Sequence, residues 1–188
     1  MPILGIIASS KLVASGSFES IATAVGTGSS NLITFSSIPS TYKHLQIRMT
    51  SRQVGAYNGS NRVYMRFNSD SSSNYDYHFL QGNGSSASAF GYANNTNCEI
   101  YNPTLVDGAT ANAFGAGIID IQDYSSSTKN KTVRYFCGAD ANTADTTFDV
   151  NIGSSLWRST SAVTTLTITT GGSNFMTGST FSLYGIKG

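Results

Sequence analysis

The stretch His44-Leu45-Gln46-Ile47-Arg48-Met49-Thr50 decides the fold class. Polar and apolar residues alternate without a break. An extended chain therefore puts Leu45, Ile47 and Met49 on one face and Gln46 and Arg48 on the other. The same period runs through residues 62–68, with Val63, Met65 and Phe67 inward, and through Tyr75, Tyr77 and Phe79, which alternate with Asp76 and His78. Residues 132–137 gather Val133, Tyr135 and Cys137, and Phe148, Val150 and Ile152 are expected to form a further inward set. Leu166 and Ile168 sit in a threonine-rich run whose β-branching favours strand. Phe181 and Leu183 open the last strand, which Gly185 is expected to bend before Ile186. Fainter strand signals cover residues 18–24, 31–35, 97–101 and 118–122.

Turn-forming clusters separate these runs, at residues 26–30, 57–60, 68–74, 82–86, 125–130 and 171–174. Asn58-Gly59 among them is a tight-turn dipeptide. No ten-residue stretch holds a 3.6 period, and no internal repeat is visible. The pattern predicts an all-β protein, an antiparallel β-sandwich or jelly roll, over residues 15–188. An extended apolar N-terminal arm, residues 1–14, precedes it.

Composition narrows the function. The 188 residues carry 11 Lys and Arg against 10 Asp and Glu, a net charge of +1. Charged residues make up 11% of the chain, well under the usual share of about 25%. Ser, Thr, Asn and Gly fill roughly 45% of it. Nucleic-acid binding needs clustered bases to displace counterions, and here the bases are scattered and balanced, so no nucleic-acid partner is expected. Polybasic attachment to a membrane fails for the same reason, and no run of 18 apolar residues offers a spanning helix, so no membrane partner is expected either. The apolar start lacks the positive charge of a signal peptide, and Lys11 comes only after it. It is read as part of the mature protein. Two cysteines, Cys98 and Cys137, are too few for a disulfide scaffold and read as buried free thiols.

No catalytic arrangement stands out, and the chain is read as a non-enzyme without a cofactor. The two histidines, His44 and His78, fall on the polar sides of strands, and no G-x-S-x-G elbow accompanies the many serines. Asp76 and His78 share a strand face and could begin a metal site with Asp70, Asp120 or Asp123, but nothing fixes a third ligand. Asp140, Asp145 and Asp149 lack EF-hand spacing. Glu19 and Glu99 are the only glutamates available to a paired-carboxylate mechanism, and the sequence brings neither to an acid partner. Gly82-Asn83-Gly84-Ser85-Ser86-Ala87 matches a loose nucleotide-loop pattern without the helix that pattern requires.

Two features point instead to contacts. The arm residues Ile3, Leu4, Ile6 and Ile7 are apolar and precede the fold; each would yield about 1.5–3 kcal/mol on burial. They are expected to dock on a partner. The aromatic string Tyr75, Tyr77, Phe79, Phe90, Tyr92 and Tyr101 reads mainly as core, with Tyr92 and Tyr101 as the expected surface contacts, for a protein neighbour or a host glycan.

Four segments carry a resemblance. They are Met1-Pro2-Ile3-Leu4-Gly5-Ile6-Ile7-Ala8-Ser9-Ser10, then Phe18-Glu19-Ser20-Ile21-Ala22-Thr23, then Ile33-Thr34-Phe35-Ser36-Ser37-Ile38-Pro39-Ser40-Thr41-Tyr42-Lys43-His44-Leu45-Gln46-Ile47-Arg48, and finally Gly178-Ser179-Thr180-Phe181-Ser182-Leu183-Tyr184-Gly185-Ile186-Lys187. Together they resemble the ends of small β-rich virion structural proteins of tailed bacteriophages. The stretch from about residue 50 to 175 carries no part of the likeness. The resemblance implies a virion protein, expected to be a capsid-decorating (cement) protein that bridges major capsid protein subunits. A homotrimer is the expected assembly. The alternative it leaves open is a tail fibre, spike or other tail-associated protein that serves host adsorption.

Overall fold

Strict alternation builds strands here because each one must bury one face and leave the other outside. The computed structural model describes residues 16–55, 61–106, 109–140 and 149–188. The arm residues Ile3, Leu4, Ile6 and Ile7, the turn Asn58-Gly59, Asp145 and Phe148 lie outside the described residues.

Thirteen strands follow one another: β1 (Phe18–Val25), β2 (Leu32–Phe35), β3 (His44–Gln53), β4 (Val63–Phe67), β5 (Tyr75–Gly82), β6 (Ala87–Asn95), β7 (Cys98–Ile100), β8 (Leu105–Val106), β9 (Gly115–Gln122), β10 (Lys131–Ala139), β11 (Asp149–Trp157), β12 (Leu166–Thr170) and β13 (Thr180–Ile186). They form an all-β sandwich. The large sheet runs β1-β13-β3-β9-β10-β11-β5-β6, and β8 joins β3 in parallel. The small sheet runs β2-β12-β4-β7, and apart from β8 every pairing is antiparallel.

The core lies between the sheets. Leu45, Ile47, Ile119, Ile121, Val133, Phe181 and Leu183 of the large sheet meet Val63, Met65, Phe67, Ile100, Leu166 and Ile168 of the small one, all fully buried. At one end Trp157 lies 5.3 Å from Phe67 and 6.2 Å from Tyr75, ring to ring. The indole Nε1 donates to Asp70 Oδ2 at 2.7 Å, and the Tyr75 hydroxyl donates to the Asp70 carbonyl at 3.2 Å.

Two expectations are corrected. Val150 and Ile152 of β11 do not face inward; they are exposed, and Asn151, Gly153, Ser155 and Trp157 are buried instead. The phase is set by volume. A Cβ at residue 153 would fall inside the Tyr135 ring, 2.5 Å from its Cε1 and Oη. Gly153 must therefore lie opposite Tyr135, and Trp157, four residues on, is carried to the same face. Gly185, expected to bend β13, lies within an unbroken strand that pairs through Ile186. It is the seat of Tyr42, whose ring lies where a Cβ would be, 2.5 Å from Cδ1. Strand β6, over Ala87–Asn95, is absent from the sequence reading, because Ala, Ser, Gly and Asn carry no strand signal.

Buried cations are held by backbone carbonyls. Lys131 Nζ donates to the carbonyls of Lys129 at 2.6 Å, Ser126 at 2.7 Å and Thr160 at 3.2 Å, and burial lowers its pKa. Arg52 donates to the carbonyls of Thr110, Ala109 and Ala113 at 2.7–3.0 Å. Both close loops.

Gly153→Ala should lower the unfolding free energy by about 1–3 kcal/mol through overpacking against Tyr135. Gly82→Ala, whose Cβ would meet Val150 at an ordinary 3.7 Å, should stay within about 0.5 kcal/mol. Urea titration read by Trp157 fluorescence compares them. For Asp70, burial raises the pKa, but hydrogen bonds from Trp157, Asn74 and Ser72 outweigh it and hold the carboxyl at about 2. An unfolded aspartate titrates near 3.9, so the stability this group supplies is present above about pH 4 and lost as pH falls toward 2. Unfolding midpoints of Asp70→Asn should accordingly vary less with pH over that window than those of the parent protein.

Candidate functional site

Once β11 is locked by Gly153, the register of the large sheet fixes what its outer face displays. Leu80 of β5 pairs with Ile152 of β11, Ile152 with Phe136 of β10, and Phe136 with Ile118 of β9. All four side chains point outward. Their exposures are 56%, 55%, 56% and 42% in that order. Neighbouring strands stand about 4.8 Å apart, so the four form one continuous apolar row across the sheet. Val150, one step along, extends it. Single exposed apolar residues are ordinary on a surface; a contiguous row is not, and it makes this face the candidate contact surface.

A polar row borders it. His78, Ser154, Arg134 and Asp120 are cross-strand neighbours on the same face. Gln46 Nε2 donates to Asp120 Oδ1 at 2.8 Å. Both rows line a shallow concavity of about 840 Å³. An apolar floor with a rim of both charges suits a protein surface, where water leaves the centre and ions stay wet.

The residues singled out from sequence are placed as follows. Tyr92 projects from β6, is 48% exposed, and lies 5.1 Å from the Tyr77 ring. Tyr101 is half-buried, stacked on Phe79 at 4.5 Å, with the Arg62 guanidinium 4.8 Å above its ring. Both contacts cover part of its ring. His44 Nδ1 accepts the Asp123 N–H at 3.0 Å. Asp76 is held by Arg158 Nη1 at 2.6 Å and accepts the Asn94 N–H at 2.8 Å. Asp70 is under Trp157, and Asp123 pairs with Lys129 at 3.1 Å and Lys43 at 3.4 Å. Among the described residues no three His, Cys, Asp or Glu side chains converge as a metal-binding group.

The two glutamates are engaged in different sheets. Glu19 Oε1 receives Lys187 Nζ at 2.7 Å and its Oε2 the Tyr42 hydroxyl at 3.0 Å; these bonds lower its pKa. Buried Glu99 accepts from the Tyr77 hydroxyl at 2.6 Å and pairs with Arg62 at 2.8 Å, while burial first, and this bond second, raise the Tyr77 pKa. The glycine-rich pattern at residues 82–87 is the β5–β6 hairpin turn, in which Asn83 Oδ1 accepts the N–H of Ser85 at 3.0 Å and of Ser86 at 2.8 Å.

Sequence reading missed the apolar row because it sought hydrophobic residues as core. The available signal was the clash of two alternations in β11, Val150-Ile152 against Gly153-Ser155-Trp157.

No family model matches this chain, and no curated protein matches it.

Cys98 and Cys137 are free and buried, and burial pushes each thiol up to about 12. Neither should react with an aromatic disulfide reagent at pH 8 in the folded protein. Both should titrate within seconds once denaturant is added, read as two equivalents of thiolate chromophore.

Proposed function

We propose that this protein is a structural component of a tailed-phage virion, a capsid-decorating protein that acts by contact alone. It lays the outer face of its large sheet on neighbouring shell subunits and buries Leu80, Ile118, Phe136 and Ile152 there. One observation carries the reading: four large apolar side chains from four adjacent strands, each about half exposed, form a single row on a folded surface. The resemblance of both chain ends to virion proteins supplies the setting. The low charge supports it further, since few Lys or Glu side chains would need desolvating at a close-packed contact. A protein that binds the assembled shell and not its free subunits stabilises the shell by mass action.

Phe136→Lys combined with Ile152→Lys tests the face. Both sites are exposed, so folding should change by about 0.5 kcal/mol or less per site. Purified particles should lose most copies of the variant by quantitative gel and release DNA at a lower temperature than the parent. Particles that keep the full complement would exclude the face. A normal shell that fails to adsorb to cells would place the protein in the tail.

A further inference from the structure

The large sheet has an open edge at β6. Among the described residues this strand pairs with β5 on one side and with nothing on the other. Its backbone pattern can be counted. The Asn83 N–H donates to the Ser86 carbonyl at 3.2 Å, which makes Asn83–Ser86 a hydrogen-bonded pair. Hydrogen-bonded and non-hydrogen-bonded pairs alternate along an antiparallel ladder. Ser88, Phe90 and Tyr92, opposite Gln81, Phe79 and Tyr77, therefore bond inward to β5. The N–H and C=O groups of Ala87, Ala89 and Gly91 point outward from the sheet.

Natural edges are blunted by lysine, proline, shortness or a bulge. Strand β6 spans nine residues with no charge and no proline, and it stays regular from Ala87 to Tyr92 before it bulges. The residues with free backbone groups are small, so a second strand can approach. A Cβ at Gly91 would meet only His78 Cβ, at 3.8 Å. Phe90, 38% exposed, stacks on Phe79 at 4.9 Å and leaves its far side open.

We propose that β6 pairs with β6 of a second copy of this chain, antiparallel about a two-fold axis at Phe90. In that register Ala89 exchanges both backbone hydrogen bonds with the partner's Gly91, and Gly91 with the partner's Ala89. Phe90 falls opposite the partner's Phe90 in the close, non-hydrogen-bonded position, so the aromatic stack of Phe79 and Phe90 continues across the axis. A two-fold contact of this kind is self-complementary. Because Ala89 lies beside Leu80 and Gly91 beside His78 on the outer face, the pairing sets the apolar row of each copy end to end with the polar row of the other across one surface. The edge contact does not depend on what that surface binds.

Sedimentation and crosslinking of the full chain test it. The parent protein should sediment as a concentration-dependent dimer. Ala89→Pro removes an N–H that β5 does not use, so it should leave the Trp157 emission and urea midpoint near the parent values and yield a monomer. Under mild oxidation, Ala89→Cys copies mixed with Gly91→Cys copies should form a disulfide-linked dimer, since hydrogen-bonded partners stand about 5.5 Å apart at Cα, within disulfide reach. Phe136→Lys with Ile152→Lys should still dimerise, which separates this contact from the face proposed for the shell. A folded Ala89→Pro that remains dimeric, a parent protein that is monomeric or trimeric, or a mixture that fails to crosslink would each overturn the pairing.

Discussion

The fit of the Tyr135 ring over Gly153 is the constraint from which the working surface follows. A strand has only two phases, and a change of one residue turns every side chain to the opposite face. Ring and glycine together exclude one phase for β11, at the middle of the large sheet. The cost is visible inside, where Asn151 and Ser155 occupy buried positions. It is visible outside too, where Val150 and Ile152 meet water. Exchanging the phases would hide the row but would also turn Trp157 outward and drive a side chain into the Tyr135 ring.

Charge is used sparingly and inwardly. Lys131 and Arg52 are spent on carbonyl groups of loops, Arg62 on Glu99, and Lys187 on Glu19. The ion pairs that remain partly exposed, such as Lys43 with Asp123, contribute little, since exposed pairs are typically worth under about 1 kcal/mol. The outer face carries the apolar row beside the polar row of His78, Ser154, Arg134 and Asp120. Burial of an apolar row of this kind would be driven by water release and would depend little on salt.

Much of the architecture was legible in the chain itself. Alternation located β3, β4, β5, β10 and β13 with the right residues inside, because large apolar side chains and period two coincide there. The same rule failed at β11, since alternation names two faces without saying which is the core; volume decides that, and the ring concerned lies on another strand. It failed differently at β6, whose small and polar residues hold a strand only because β5 supplies the ladder. Tyr101 shows the limit for single residues: its stack on Phe79 and its cover by Arg62 come from two other segments. Of the apolar row only the β11 part left a trace in the sequence, since the rest is a product of register among four strands that are not all neighbours in sequence.

The pairing of β1 with β13 has a bearing on how the chain is made. Phe18 lies beside Ile186, and Glu19 reaches Lys187 across 168 positions of sequence. On the ribosome β1 must wait for its β13 partner until Thr180–Ile186 has emerged. Loop closure over such a span is slow relative to local hairpins such as β5–β6. During that interval local hairpins such as β5–β6 can close while the margin of the large sheet at β1 stays unfinished, so the sheet is completed last at that edge.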